Sequence, residues 1–307
     1  SSLKSLNHTM KCLDILIPHY NDFSGLKKSI KSVEMQSWEG TLRVVVADDG
    51  SPIEVFDRVE KLLSAAPFST KLLRNTMNRG RPHTRNRLLD EIQAPFVAWL
   101  DAGDLWLPDK LSIQFEHLDR LRNQGESVDD CWITCNYDWR WEQGRTRNCS
   151  QNVDQDQVKA LLMGDNLRGY LWTILASAST FIKVGGFDEN LPRLQDLDYF
   201  LRFAKGGGRL VKPPTEDSLC IYEKSDIGRD SREIRRCNAR IFAKHADSYY
   251  SYGPHFLRVR LYKAQLLSAR FAKNNGDILA LSWFLLRAFM TRPFAAIRGI
   301  IKSSFNP

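Results

Sequence analysis

Cysteine is scarce in this chain. Its six cysteines (Cys12, Cys131, Cys135, Cys149, Cys220 and Cys237) are spread over 307 residues with no Cys-x-x-Cys pair. No histidine stands at zinc-finger spacing, so a zinc finger and a disulfide scaffold are both excluded. Free thiols in a reducing compartment are the expectation. Glycine and proline number only 18 and 12, too few for a collagenous or low-complexity chain. No apolar run reaches the ~18–20 residues of a spanning helix. The longest candidate, Ile278 to Met290, is broken by Ser282 and Arg287. A charged-then-apolar leader pattern is missing as well. These absences point to a cytoplasmic protein, soluble or peripheral on the inner face of the membrane. Neither Gly-x-Gly-x-x-Gly nor Gly-x-x-x-x-Gly-Lys-Ser/Thr occurs, so no glycine cradle serves phosphates. No internal repeat is visible.

The composition is that of a globular protein, 43% hydrophobic and 26% charged, and the chain is long enough to bury a large core. The net charge is +8, and it is unevenly placed. From Gly253 onward nine Lys and Arg stand against a single acid, Asp277, while the remainder carries 35 of each sign. A neutral body with a basic tail suits an anionic surface, and the plain alternative is a solvated helical face. Nucleic acid is not expected, since the charge lies in a helical tail, and an anionic membrane surface is the partner expected for it.

Strands and helices alternate along the first hundred residues. Leu13 to Pro18 reads as a buried strand, Gly25 to Gln36 as a helix, and Leu42 to Ala47 as a β-branched strand. A helix carrying Val55, Val59 and Leu62 follows, then a strand at Lys71 to Arg74, a helix at His83 to Ile92, and a strand at Phe96 to Leu100. This alternation implies a parallel sheet covered by helices. Further on, Trp132 to Tyr137 reads as a strand, 139–156 as a polar loop, Thr173 to Lys183 as β-prone, and Asp196 to Ala204 as a helix. From Ser231 the pattern is helical, and Thr291-Arg292-Pro293 reads as a helix start with Thr as cap. The expected division is a tail at 1–11, an α/β domain at 12–230, and a basic helical region at 231–307.

Chemistry gathers where strands end. Pro18-His19-Tyr20-Asn21, Asp48-Asp49-Gly50-Ser51 and Asp101-Ala102-Gly103-Asp104 each follow a strand. Any one is an ordinary turn composition. Three at the carboxyl ends of successive parallel strands surround one crevice, where ligands of open α/β sheets bind. Tyr20 offers a ring for a base, and Asp48 or Asp49 an acceptor for a base N–H. Asp101 and Asp104 offer hard oxygens for a divalent cation whose shell a diphosphate completes.

Read in order, LDILIPHYND, LRVVVADDGSP, NRGRPHTRNRLL, PFVAWLDAGDLWLPDKL and VGGFDENLPRLQDLDYFLR resemble the inverting glycosyltransferases of the second sequence family. The likeness runs from about Leu13 to Tyr222. It implies the GT-A fold: a Rossmann-like, mainly parallel mixed sheet flanked by helices, here with a helical C-terminal extension. It also implies roles. Pro18 and Tyr20 would line the nucleobase, and Asp49, with Asp48 beside it, would read the base, usually uracil. Asn78, Gly80, Arg85 and Asn86 would lie under the nucleotide, with the Arg contacting the base or orienting the acids. Asp101 and Asp104 would hold Mn2+ or Mg2+, and Asp196 would be the catalytic base. Three departures stand out. Gly103 replaces an acid in the usual Asp-x-Asp-Asp, Gln195 replaces the usual Glu, and no His follows Tyr222. Lys224 or Arg229 is the substitute cation expected there.

The expected reaction is one in-line displacement. Asp196 deprotonates an acceptor hydroxyl, with Asp198 as the rival base, while a metal at Asp101 and Asp104 stabilises the departing nucleoside diphosphate. Trp106 and Gln195 are the candidates for shaping the acceptor site. Trp132, Trp139 and Trp141 divide between sugar stacking and core. The donor is expected to be a nucleotide-sugar, a UDP-sugar first, and the acceptor a glycan or a lipid-linked glycan of polysaccharide biosynthesis. Two other readings remain: a nucleotide- or glycan-binding module with an impaired site, and a sugar nucleotidyltransferase. The second would need a Gly-rich basic loop after the first strand.

Overall fold

The computed structural model of the protein describes residues 11–141, 144–224 and 230–304. The first ten residues, read above as tail, lie outside that range, as do Arg229 and the side chain of Lys224. Two compact units form. One runs to Asn190 and includes Tyr199–Lys224; the other joins Leu191–Asp198 to the C-terminal helices.

The first unit is built on strand–helix repeats. They are β1 (Cys12–His19), α1 (Phe23–Glu34), β2 (Thr41–Asp48), α2 (Ile53–Ser64), β3 (Ser69–Arg74), α3 (Arg81–Leu89) and β4 (Phe96–Trp99). After β5 (Leu105–Trp106) and α4 (Lys110–Asn123) come β6 (Cys131–Ile133), β7 (Tyr137–Trp141), β8 (Thr146–Cys149) and α5 (Gln157–Met163). Then follow β9 (Leu175–Ser177), α6 (Ala178–Val184), α7 (Gln195–Lys205, divided between the units after Asp198), β10 (Arg209–Val211) and β11 (Cys220–Lys224). Seven strands form the main sheet in the order β3-β2-β1-β4-β9-β6-β10. β3, β2, β1 and β4 are parallel, β9 is antiparallel to both its neighbours, and β6 and β10 are parallel. This is the mainly parallel α/β sheet expected of the sequence.

Burial on both faces explains the apolar runs of the central strands. Leu13, Ile15 and Ile17 of β1 share one core with Leu26, Ile30 and Val33 of α1 and Val59 and Leu63 of α2. On β4, Trp99 instead meets Phe181 and Phe187, and Trp132 of β6 stacks on Phe203 with centroids 3.8 Å apart. The chain leaves β1 one way toward β2 and β3, and β4 lies on the other side, so the strand order reverses between β1 and β4. That is the switch point at which an open sheet leaves a crevice.

Three local readings differ from the structure. The segment read as one strand from Trp132 ends at Ile133, and β7 belongs to a second sheet, β5-β11-β7-β8. The polar stretch from 139 holds the rest of β7 and all of β8. Its signal was the alternation of Tyr137, Trp139 and Trp141 with Asp138 and Arg140, which has the period of a strand. The β-prone segment from Thr173 yields only the three residues of β9 before α6 begins.

The second unit carries α8 (Ser231–Lys244), α9 (Ala246–Ser251), α10 (Gly253–Asn274), α11 (Ile278–Thr291) and α12 (Pro293–Ser304). Asp277 caps α11 by accepting from the Ala280 N–H at 2.9 Å. Thr291 does not cap α12; it closes α11, donating its hydroxyl to the Arg287 carbonyl at 2.7 Å. Pro293 does open α12.

One buried acid anchors the sheet at the end away from the crevice. Asp14 of β1 accepts from Arg43 Nε and Nη2, both at 2.8 Å, and from the N–H groups of Gln93 and Ala94 at 2.7 and 2.9 Å. Burial alone would raise its carboxyl, but the Arg43 hydrogen bonds and the two backbone donors outweigh it and hold it below the usual range. Its stabilisation is therefore complete above the ordinary carboxylate pKa and is lost as pH falls through the lowered value. Arg43→Ala should cost about 2–3 kcal/mol in urea unfolding. It should also move acid unfolding to higher pH. An unchanged acid midpoint would contradict this account.

Candidate active site

The crevice is lined by three loops that fold onto one another. Past the end of β1, the backbone carbonyl of His19 accepts from the Asp49 N–H at 2.8 Å, and that of Asp48 accepts from Asn75 N–H at 2.7 Å. The ladder thus extends across β1, β2 and β3 into the loops.

Side chains then fasten them. His19 is buried, and its Nε2 accepts from the Asp22 N–H at 3.2 Å. Its Nδ1 therefore carries the proton and donates to Asp48 Oδ2 at 2.8 Å. Asp48 also accepts from Ser51 Oγ at 2.6 Å and Ser51 N–H at 2.9 Å. Ser51 Oγ in turn accepts from the N–H of Asn21, whose φ is +47°. Burial would raise the Asp48 carboxyl, but the hydrogen bonds from His19 and Ser51 hold it below its ordinary range. Asp48 is thus an ionised tie between the first two loops.

Asp49 ties the second loop to the third. Oδ1 accepts from Asn75 Nδ2 at 2.7 Å and Arg79 N–H at 2.8 Å, and Oδ2 accepts from Gly80 N–H at 2.9 Å. Between them Gly50 has φ +77°, and a Cβ there would stand 2.4 Å from the Met77 carbonyl carbon. Glycine alone permits this approach. Pro18 is buried, Tyr20 is exposed at the strand end, and Asn78 is exposed with its Oδ1 accepting from Gly80 N–H at 3.1 Å.

The acidic turn after β4 rests on a buried cation. Arg85 of α3 is 0% exposed and donates through Nη2 to Asp101 Oδ1 and Oδ2 at 2.9 and 3.1 Å. Its guanidinium lies 5.4 Å from the Phe187 ring centroid. Arg81 Nη1 is 3.7 Å from Asp101 Oδ2. Burial would raise the Asp101 carboxyl, but the Arg85 and Arg81 charges outweigh it and the group is held low. Asp104 is the opposite case. Burial first, then the neighbouring charge of Asp101, pushes it well above the usual range, against the pull of Arg81 and a hydrogen bond from the Glu223 N–H.

Ser29 sets the turn, accepting from Gly103 N–H at 3.0 Å and donating to the Asp104 carbonyl at 2.7 Å. Gly103 has φ +100°, which an aspartate would adopt only under strain. The departure from the usual acid is therefore built into the backbone.

Several of these residues carry no motif of their own. Arg81, Asn75 and the Glu223 N–H are recognisable only in space. Ser29 does have a signal: it is polar on the buried face of α1, among Leu26, Ile30 and Val33. Trp106 corrects an expectation. It is 3% exposed, donates from Nε1 to the Trp172 carbonyl at 3.1 Å and lies under Lys110 Nζ at 4.1 Å, so it packs in the core and offers no face to an acceptor.

The remaining candidates belong to the second unit. Asp196 stands in the first turn of α7 and is partly buried. Gln195 is buried and donates Nε2 to the Pro192 carbonyl at 3.2 Å. Asp198 is fully buried, with His245 Nε2 and Lys244 Nζ each at 2.9 Å.

A profile of the family described as Glycosyl transferase family 2 matches residues 14–177, more than half of the chain. The chain belongs to glycosyl transferase family 2. An uncharacterized glycosyltransferase of Rickettsia conorii is 27% identical over 243 residues, covering 76% of this chain but only 37% of that protein. The UDP-Glc:alpha-D-GlcNAc-diphosphoundecaprenol beta-1,3-glucosyltransferase WfgD of Escherichia coli is 32% identical over 102 residues, 33% of this chain and 39% of the relative. Among solved structures, the mannosyltransferase PcManGT from Pyrobaculum calidifontis in complex with GDP-Man and Mn2+ superposes with a TM-score of 0.58 at 17% identity, over 95% of this chain and 79% of that one. That likeness establishes the GT-A fold.

Members of glycosyl transferase family 2 invite a test of the acidic turn as a cation site. Among the described residues, no group of three or more His, Cys, Asp or Glu side chains is placed to hold a metal. Asp101 and Asp104 supply two carboxyl groups on one turn. Two carboxylates completed by phosphate and water suit a hard divalent cation such as Mg2+. The residues present fit that group.

A carboxyl raised on folding weakens the fold at every pH above the ordinary carboxylate pKa, and that cost shrinks as pH falls from the raised value toward the ordinary one. Asp104→Asn should therefore raise Tm by roughly 2–4 °C at pH 7 in chelator, a gain of about 1 kcal/mol. The gain should shrink on acidification. A lower Tm for the variant at neutral pH would refute the account.

Proposed function

We propose that this chain is a metal-dependent, inverting glycosyltransferase. It takes a nucleotide-sugar, a UDP-sugar first, and glycosylates a hydroxyl of a glycan or lipid-linked glycan. The observation that carries this reading is the pair of unlike carboxyls on one turn at the switch point. Asp101 is paired with Arg85, while burial and the Asp101 charge raise the Asp104 carboxyl beside it. The UDP-sugar and lipid-linked acceptor in the name of the E. coli relative support the donor and acceptor classes. Membership of glycosyl transferase family 2 supports the reaction.

Asp101 and Asp104 would hold the divalent cation, which supplies Lewis-acid stabilisation to the departing diphosphate. Tyr20, exposed at the end of β1, gives the base a stacking face. Of the paired acids, Asp49 is the better base reader. Three of its acceptor sites hold the loops, and its Oδ2 bears only the Gly80 bond. Asp48, wholly buried, positions the first two loops. Asn78, Gly80 and Arg85 act from beneath: Gly80 and Arg85 through Asp49 and Asp101, and Asn78 through Gly80.

Asp196 is the base in this reading. It removes the acceptor proton as the hydroxyl oxygen attacks the anomeric carbon opposite the diphosphate. The first turn of a helix favours its ionised form. Asp198 is the poorer rival, since Lys244 and His245 already engage it. It and Gln195 are positioning residues for that turn.

The test is a screen of UDP- and GDP-sugars with Mn2+ or Mg2+, reading Tm and release of nucleoside diphosphate. One donor should raise Tm by several degrees, since a ligand at 100 times its Kd adds about 2.7 kcal/mol. Asp196→Asn should keep that shift and lose transfer by ~10² or more. Undiminished transfer would remove Asp196 from the base role. A bound sugar nucleotide left intact with every acceptor would make the chain a binding module.

A further inference from the structure

Helix α11 is apolar on nearly every side. Between Ile278 and Thr291 it carries one charge, Arg287. A helix without a polar face needs apolar surroundings all round. Among the described residues packing supplies one side only: Phe284 and Ala288 are buried, with Phe284 against Ala269 and Ala272 of α10. On the other side Leu279 is 85% exposed, Met290 72% and Leu286 58%. With Trp283 they follow the i, i+4, i+7, i+11 spacing of a single stripe. α12 adds Phe294 and Ile297, also exposed.

The rim of this face is basic. The Arg287 and Arg235 guanidinium carbons lie 4.7 and 5.1 Å from the Trp283 ring. From Ile278 onward the sequence has Arg287, Arg292, Arg298 and Lys302 and no acid. (The Lys302 side chain lies outside the described residues.) Those charges choose between occupants. A second copy would bring four more cations against these four, with Asp277 at the start of α11 as the single acid of this helix pair. Phosphate headgroups over acyl chains match both the cations and the stripe.

Length decides the pose. Fourteen residues of helix span about 21 Å, short of the ~30 Å hydrocarbon layer. No helix among the described residues is long and apolar enough to cross a membrane.

We propose that the outward stripe of α11, with α12, seats in the plane of an anionic lipid surface. The apolar side chains enter the acyl boundary, and the arginines meet the phosphates. This inference rests on the C-terminal unit alone and holds whatever the chain transfers.

The test is flotation of the full chain with phosphatidylcholine vesicles, with and without about one-third phosphatidylglycerol. The chain should float with the anionic vesicles, and salt should weaken it. Leu279→Ser/Leu286→Ser/Met290→Ser should keep Tm, because all three are exposed, and lose binding by ~10² or more. Arg287→Gln/Arg292→Gln/Arg298→Gln should lose about 10²-fold on anionic vesicles only, since each cation contributes roughly fivefold. The proposal is overturned if the wild type stays unbound to anionic vesicles at low salt. It is also overturned if the serine variant floats like the wild type, or if both lipids bind equally. Light scattering covers the rival: a wild-type dimer that ignores vesicles, and that the serine variant dissolves, would assign the face to a second copy.

Discussion

A guanidinium with no access to water holds the crevice together. Arg85 is buried beneath the acidic turn, and a buried charge persists only when it is paired and hydrogen-bonded. Asp101 meets that need with both oxygens. The pair has a second effect. It neutralises one acid of the turn and leaves the other, Asp104, with a charge that the surrounding protein disfavours. Two aspartates three positions apart thus become different chemical groups.

The same economy of donors runs through the other two loops. Asp48 and Asp49 are neighbours on one strand end, yet they face different work. Asp48 gathers His19 and Ser51, and through Ser51 the backbone of Asn21. Asp49 gathers Asn75, Arg79 and Gly80. Each carboxylate ties loops whose strands lie side by side in the sheet, so the crevice walls are cross-linked by charge-assisted hydrogen bonds. Gly50 and Gly103 permit the turns that bring these groups together. Gly103 also explains a departure from the family pattern, because the turn that presents Asp104 has a backbone in which an acid would be strained.

The C-terminal unit obeys different physics. Its helix α11 buries one side against α10 and leaves an apolar stripe outside, with arginines around it. The buried ties of Asp198 to Lys244 and His245 belong to this unit as well, and they hold the helix turn that carries Asp196.

Much of this was legible along the chain. Parallel strands buried on both faces read as continuous apolar runs, and helices between them read by their stripes. The order of elements, the switch-point clusters and the family likeness followed from local pattern alone. The differences arose where local pattern is weak. β7 and β8 hide in a charged stretch, and Trp106 looks available beside an acidic turn but packs inward against Trp172. The division of labour within each acid pair was not readable at all. Asp48 and Asp49, or Asp101 and Asp104, are the same residue type in the same kind of turn. Their protonation and roles depend on partners distant in sequence, such as His19, Arg85 and the backbone of Glu223. Periodicity is a property of neighbours along the chain, whereas charge and desolvation are set by neighbours in space, and only folding chooses those.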